Sequence, residues 1–150
     1  MKILIKNHQR RRSLNKKKIT GTARKILCIL DQSAAELSIM FVGDKKMSEL
    51  NAVYRGIDRS TDVLAFPQIG QTSGKWEVRI LGDIVISVPR AESQAKMYGW
   101  GFHDEVSRLL IHGTLHLLGY DHEKTVYKAG KMRKKETELF NAIKKMDQKH

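Results

Sequence analysis

Acidic residues are scarce in this chain, and its first thirty positions contain none. Over 150 residues, 16 Asp and Glu stand against 28 Lys and Arg, for a net charge of +12 with histidine neutral. Cysteine is rarer still. The one present, Cys28, excludes an intramolecular disulfide framework, and its neighbours Ile26, Leu27, Ile29 and Leu30 mark it as a small core residue rather than a reactive thiol. No apolar run approaches the length of a membrane span, and Ile3–Ile5 is too short for the core of a signal peptide, so the expected compartment is the cytoplasm. No repeat, low-complexity tract or linker divides the chain. Its length then predicts a single domain over residues 1–150, large enough to bury a core without disulfides.

Against these absences stands one dense motif. Residues 112–122 read HGTLHLLGYDH, an H-x3-H-x2-G-x2-H arrangement. One helical turn places His112 and His116 on the same face, so both imidazoles can reach one ion. Gly119 can take the left-handed conformation that ends a helix and return the chain to deliver His122. Three histidines with a fourth position left to water is the layout of a catalytic zinc site, whereas structural zinc is closed by four protein ligands. One zinc ion is therefore expected, held by His112, His116 and His122, with Asp121 placed to orient His122 from behind. His8, His103 and His150 have no such partners.

The spacing matches that of metzincin peptidases, but one position does not. In H-E-x-x-H enzymes the Glu after the first histidine is the base that activates water. Gly113 stands there and cannot take a proton. The scaffold for a metal is present without the proteolytic base, which points to hydrolysis of another bond.

Charge suggests which bond. Ten Lys or Arg occur between Met1 and Leu30, including the runs Arg10, Arg11, Arg12 and Lys16, Lys17, Lys18, and a second cluster holds Lys131, Arg133, Lys134 and Lys135. Each alone is compatible with a solvated face. Two such clusters on a metal hydrolase favour a polyanion, because they attract a phosphate backbone without reading bases. A membrane is the other polyanion, but no basic amphipathic helix carries bulky aromatics to insert.

These residues resemble the YbeY endoribonuclease family. The resemblance rests on HGTLHLLGYDH at 112–122, on LNAVYRGID at 50–58 followed by TDVLAFP at 61–67, and on LGDIVIS at 81–87, and it runs over roughly residues 35–140. It implies a zincin-like fold and a zinc-dependent, single-strand-directed ribonuclease acting in ribosomal RNA maturation and ribosome quality control. It also implies His112, His116 and His122 as zinc ligands, Arg55 as a functional residue near the metal, and the ribosome as a partner. Ser60 and Ala65 stand where the family tends to carry Pro and Ser; neither is a ligand position, so the departure concerns the loop.

Periodicity predicts strands at 3–6, 36–42 and 79–87, a short strand ending at Phe66-Pro67, and a hairpin over 70–74. Helices are predicted over 15–30, 45–54 with Asp44 as cap, 89–98 stopped by Gly99, 103–118, and about 126–145. The sum is an α+β domain, a small mixed sheet covered by helices. The 103–118 helix is apolar enough to be central, with only its histidine face opening on a cleft. Arg55 suits the charge that builds on a cleaving phosphodiester, since its fork matches two oxygens, although an ion pair with Asp58 or Asp62 is an alternative role. Asp83 reads as a hydrogen-bonded anchor within its apolar strand. Two other classes share parts of the pattern: a metallopeptidase, which would need a base at 113, and a non-catalytic RNA- or ribosome-binding protein with a structural metal, which would need a fourth protein ligand.

Overall fold

The computed structural model describes residues 1–68, 72–73, 78–120 and 125–148. Along the chain lie β1 (Lys2–His8), α1 (Lys16–Ile29), β2 (Glu36–Val42), α2 (Asp44–Arg55), β3 (Val63–Pro67), β4 (Thr72–Ser73), β5 (Val78–Ser87), α3 (Val88–Tyr98), α4 (Phe102–Leu117) and α5 (Val126–Gln148). The sheet runs β1-β2-β5-β3. Its first three strands are parallel, and β3 is antiparallel to β5. The α+β class with a mixed sheet is thus the observed one. Of the hairpin predicted over 70–74, positions 70, 71 and 74 lie outside the described residues, and Thr72 and Ser73 form β4, paired antiparallel with Arg79 and Val78.

Alternation along the strands divides the core in two. Leu37, Ile39 and Phe41 of β2 and Ile84 and Ile86 of β5 share a buried cluster with Ile19, Ala23, Ile26 and Leu27 of α1, most of α4, and Met132, Leu139 and Ile143 of α5. The alternate residues Val42, Leu64 and Val85 form a smaller cluster with Met47 of α2. Val106, Leu109, Leu110 and Leu115, among the α4 residues of the larger cluster, are all fully buried. β3 folds back along β5 and packs against α4, and the end of α2 and the loop after it line the same cavity as that helix.

A bulge lets β3 approach so closely. Glu36 lies opposite Ile80 and Leu37 opposite Gly82, so Leu81 is an extra residue in β5. Gly82 takes φ 141°, and a Cβ there would sit 2.2 Å from the Phe66 carbonyl oxygen of β3. Only glycine permits that contact.

Three local readings require correction. Gly43, not Asp44, caps α2; the helix starts one residue early, so Asp44 occupies its first position, where its charge still suits the helix dipole. Its carboxylate instead accepts a hydrogen bond from Ser60 at 2.5 Å, which ties the loop carrying the family departure to the start of α2. Cys28 is exposed, because the core face of α1 follows 19, 23, 26 and 27, and position 28 turns away from it. Asp83 is half-buried, and among the described residues its side chain accepts no hydrogen bond.

Candidate active site

The middle of α4 packs so tightly that only its histidines can face outward. Gly113 lies against Ile84, and a Cβ there would meet three Ile84 side-chain atoms at 3.1 to 3.2 Å. The absent side chain at this position is thus a packing requirement as well as a missing base. His112 and His116 are half-buried, one turn apart on the same face, with ring centroids 4.7 Å apart and planes inclined at 64°. They open on a cavity of about 660 Å³ walled by β3 from Val63 to Phe66, by Tyr54 and Arg55 at the end of α2, and by Gly119, Tyr120 and Lys128.

Gly119 does what its place in the motif predicts. At φ 97° it donates to the His116 carbonyl at 3.0 Å, while Tyr120 N–H donates to Leu115 at 3.0 Å, and the chain leaves the helix sharply. The predicted third ligand, His122, and its neighbour Asp121 lie outside the described residues. Among the described residues no group of three His, Cys, Asp or Glu is placed to hold a metal ion.

A partner for His112 comes from α5. Its Nδ1 lies 3.3 Å from Glu136 Oε1. Ionised carboxylates only accept, so a hydrogen bond here is donated from Nδ1, the tautomer that in a neutral ring places the lone pair on Nε2. Sequence reasoning missed Glu136, although a signal existed: Met132, Leu139 and Ile143 form the buried stripe of α5, the half-buried Glu136 falls on the same face, and a carboxylate beside such a stripe calls for a polar partner.

Arg55 is the last residue of α2, exposed on the cavity wall, with Gly56 at φ 70° ending the helix beside it. Among the described residues it makes no ion pair, because Asp62 is turned elsewhere. One Asp62 oxygen accepts from Val63 N–H at 2.8 Å; the other accepts from Gln94 at 3.3 Å and lies 3.8 Å from Arg108. Arg108 in turn grips the fully buried Glu105 at 3.0 and 2.6 Å, and that carboxylate also accepts from Gln94 at 2.6 Å and Trp100 at 3.2 Å. Burial alone would lower the Arg108 pKa, but its hydrogen bonds and charge contact with Glu105 raise it overall. This buried cluster was not legible in the sequence, and it sets the position of the loop that carries Asp62.

None of the ten basic residues singled out from sequence lines the histidine cavity; Lys128, which was not, does. Arg11 and Arg12 direct their charge to Glu92, at 2.8 and 3.6 Å, and Arg12 also stacks over the Phe102 ring at 4.1 Å. Arg10 lies on another concavity with Lys45 and Lys46. Lys16, Lys17 and Lys18 are exposed on the first turn of α1, capped by Asn15, and Lys131, Arg133 and Lys134 are exposed on α5, with Lys135 half-buried. Among the described residues, no helix is long and apolar enough to cross a membrane.

The described residues thus place an imidazole pair half-buried over a cavity with a cationic rim, on a helix packed against a mixed sheet, and the reaction class, hydrolysis, comes from comparison. Comparison supplies the family. A family model described as Endoribonuclease YbeY matches residues 4–144, and the chain belongs to this family. It is 43% identical over 143 residues to an Endoribonuclease YbeY of Persephonella marina, covering 95% of this chain and 93% of that one. Against an Endoribonuclease YbeY of Aquifex aeolicus it is 42% identical, covering 95% and 89%. A solution structure of a Thermotoga maritima protein superposes with a TM-score of 0.63 at 26% identity, covering 94% of this chain and 88% of that one.

Proposed function

We propose that this protein is a metal-dependent hydrolytic endoribonuclease that cuts single-stranded RNA at the His112–His116 cavity. Membership of an endoribonuclease family supports the reaction class. The observation that carries the site is the imidazole pair facing a cavity whose rim holds Arg55 and Lys128, next to a glycine where a peptidase needs its base. Two imidazoles on one face, one whose neutral ring carries its lone pair on Nε2, are a donor set that suits one zinc ion, with His122 as third ligand and Asp121 behind it. An ion held there would supply Lewis acidity and lower the pKa of water toward neutrality.

The chain's own groups do the rest. Arg55 holds the scissile phosphate and stabilises the charge that develops on its oxygens, with a planar fork that matches two of them. Lys128 adds positive charge from the cavity lining. Tyr54, 62% exposed and packed on Phe66 with centroids 4.6 Å apart, offers a ring on which an unpaired base stacks. A base inside a duplex has no free face, so this arrangement favours single strands. Arg10, Lys16, Lys17, Lys18, Lys131, Arg133, Lys134 and Lys135 attract the RNA backbone from a distance. The single domain of residues 1–150 acts in the cytoplasm on ribosomal RNA, with the ribosome as partner. The test is cleavage of matched single-stranded and duplex RNA with and without chelator. The reading requires cutting of the single strand, loss with chelator, and recovery on adding zinc; cutting that persists in chelator contradicts it.

A further inference from the structure

A second cavity, of about 370 Å³, shares a wall with the first. Arg55, Thr61 and Asp62 line both. Beyond that wall it is lined by Asn51, Arg59 and Arg90. Three guanidinium groups therefore border a small polar space, and the acid among them is already engaged, since Asp62 faces Arg108 and Gln94. Arg59 makes no ion pair among the described residues. Arg90 has one, to Asp44 at 3.8 Å with both side chains about half exposed, a contact that a phosphate displaces easily.

Asn51 supplies an independent observation. Its side chain is 2% exposed, and its Nδ2 donates to the Arg59 carbonyl at 2.9 Å, fixing the loop that carries Arg59. Its Oδ1 is buried with no hydrogen-bond partner. Native proteins rarely leave such an acceptor unmet. A phosphodiester group alone does not answer it, because it offers no N–H or O–H. A ribonucleotide does, because it brings a phosphate for the arginines and, on the same residue, a 2′-hydroxyl or base amino group as donor.

We propose that this second cavity is a nucleotide subsite, which holds a phosphate of the RNA strand between Arg59 and Arg90, one step along the backbone from the bond cut at the histidines, while Asn51 Oδ1 accepts a hydrogen bond from that nucleotide. The inference rests on the reading of the first cavity as the cleavage site. It gives the RNA a defined direction across the Arg55 wall and makes nucleotides beside the cut contribute to binding.

The test compares the parent with Arg59→Ala, Arg90→Ala and the double variant, on a long oligouridylate and on a dinucleoside monophosphate too short to span both cavities. For the oligouridylate the double variant should raise KM about tenfold or more, with a smaller change in kcat, as expected for loss of charge-assisted phosphate contacts. Its log–log dependence of binding on salt should flatten by roughly 0.7, one phosphate on a single strand. On the dinucleoside monophosphate, parent and variant should be indistinguishable. Equal KM and salt slope on the oligouridylate, in a parent that cuts it, overturn the subsite alone, as does an equal loss on both substrates. A parent that neither binds nor cuts RNA overturns the subsite and the proposed function together.

Discussion

Removing Glu136 should weaken metal binding without disturbing the fold, and the expected size follows from its contact with His112. A carboxylate behind a ligating imidazole fixes its tautomer and ring orientation, and losing such a partner typically costs 10- to 100-fold in metal affinity, about 1.4 to 2.8 kcal/mol. Here the described contact is 3.3 Å long and lies between side chains 23% and 16% exposed. Those features place Glu136→Ala at the lower end, a loss of about 10- to 30-fold. Glu136→Gln keeps an acceptor oxygen and forfeits only the charge, so it should lose about threefold. The assay is titration of metal-free protein with zinc in competition with a chromogenic chelator, alongside urea unfolding of each metal-free variant. Graded weakening in the order parent, Gln, Ala, with unchanged urea midpoints, matches the reasoning. An Ala variant that binds zinc within twofold of the parent refutes it.

Other perturbations read separate parts of the structure. Gly82→Ala forces a Cβ to within 2.2 Å of the Phe66 carbonyl and should cost more than about 3 kcal/mol in urea unfolding; a smaller loss would contradict the tight β3–β5 crossing. His103 sits against Thr22 at 3.0 Å with its pKa lowered, first by burial and then by the charge of Lys18, which outweigh the opposing pull of Asp147 and Asp104. Its neutral form therefore adds stability that is complete above the ordinary value of 6.5 and is lost as the pH falls through its lowered pKa. Metal-free protein should accordingly have a lower urea midpoint at pH 5 than at pH 7.5, and His103→Gln should reduce the difference; an unaltered difference would remove His103 as its source. Arg55→Lys and Arg55→Glu should keep the fold and metal while turnover on single-stranded RNA falls about tenfold or more, further for Glu, and full activity in the Glu variant would separate Arg55 from the reaction.

What the sequence discloses is local and periodic. That His112 and His116 share a helix face, that Gly119 turns the chain after them, and that the apolar α4 is central all follow from spacing within a few residues, and the structure agrees on each. What it conceals depends on distant contacts. Glu136 meets His112 across 24 positions, and Arg108 reaches Asp62 across 46, so no short window pairs them. Cys28 was misplaced for a related reason: apolar neighbours in sequence imply burial only when they share a helix face, and 28 does not share the face of 23, 26 and 27. Composition told of a cationic surface, but only the fold shows that Lys128 lines the cavity while Arg11 and Arg12 are bound to Glu92.

Metal content bears most directly on the claim that the α4 histidines build the reactive centre. Zinc-loaded parent and His116→Ala, both shown to be folded and both freed of loosely held ions, should be compared by elemental analysis. The account predicts about one ion per parent chain and a sharp loss in the variant, because an imidazole is removed from a three-ligand set. Equal stoichiometry in the two proteins would contradict it.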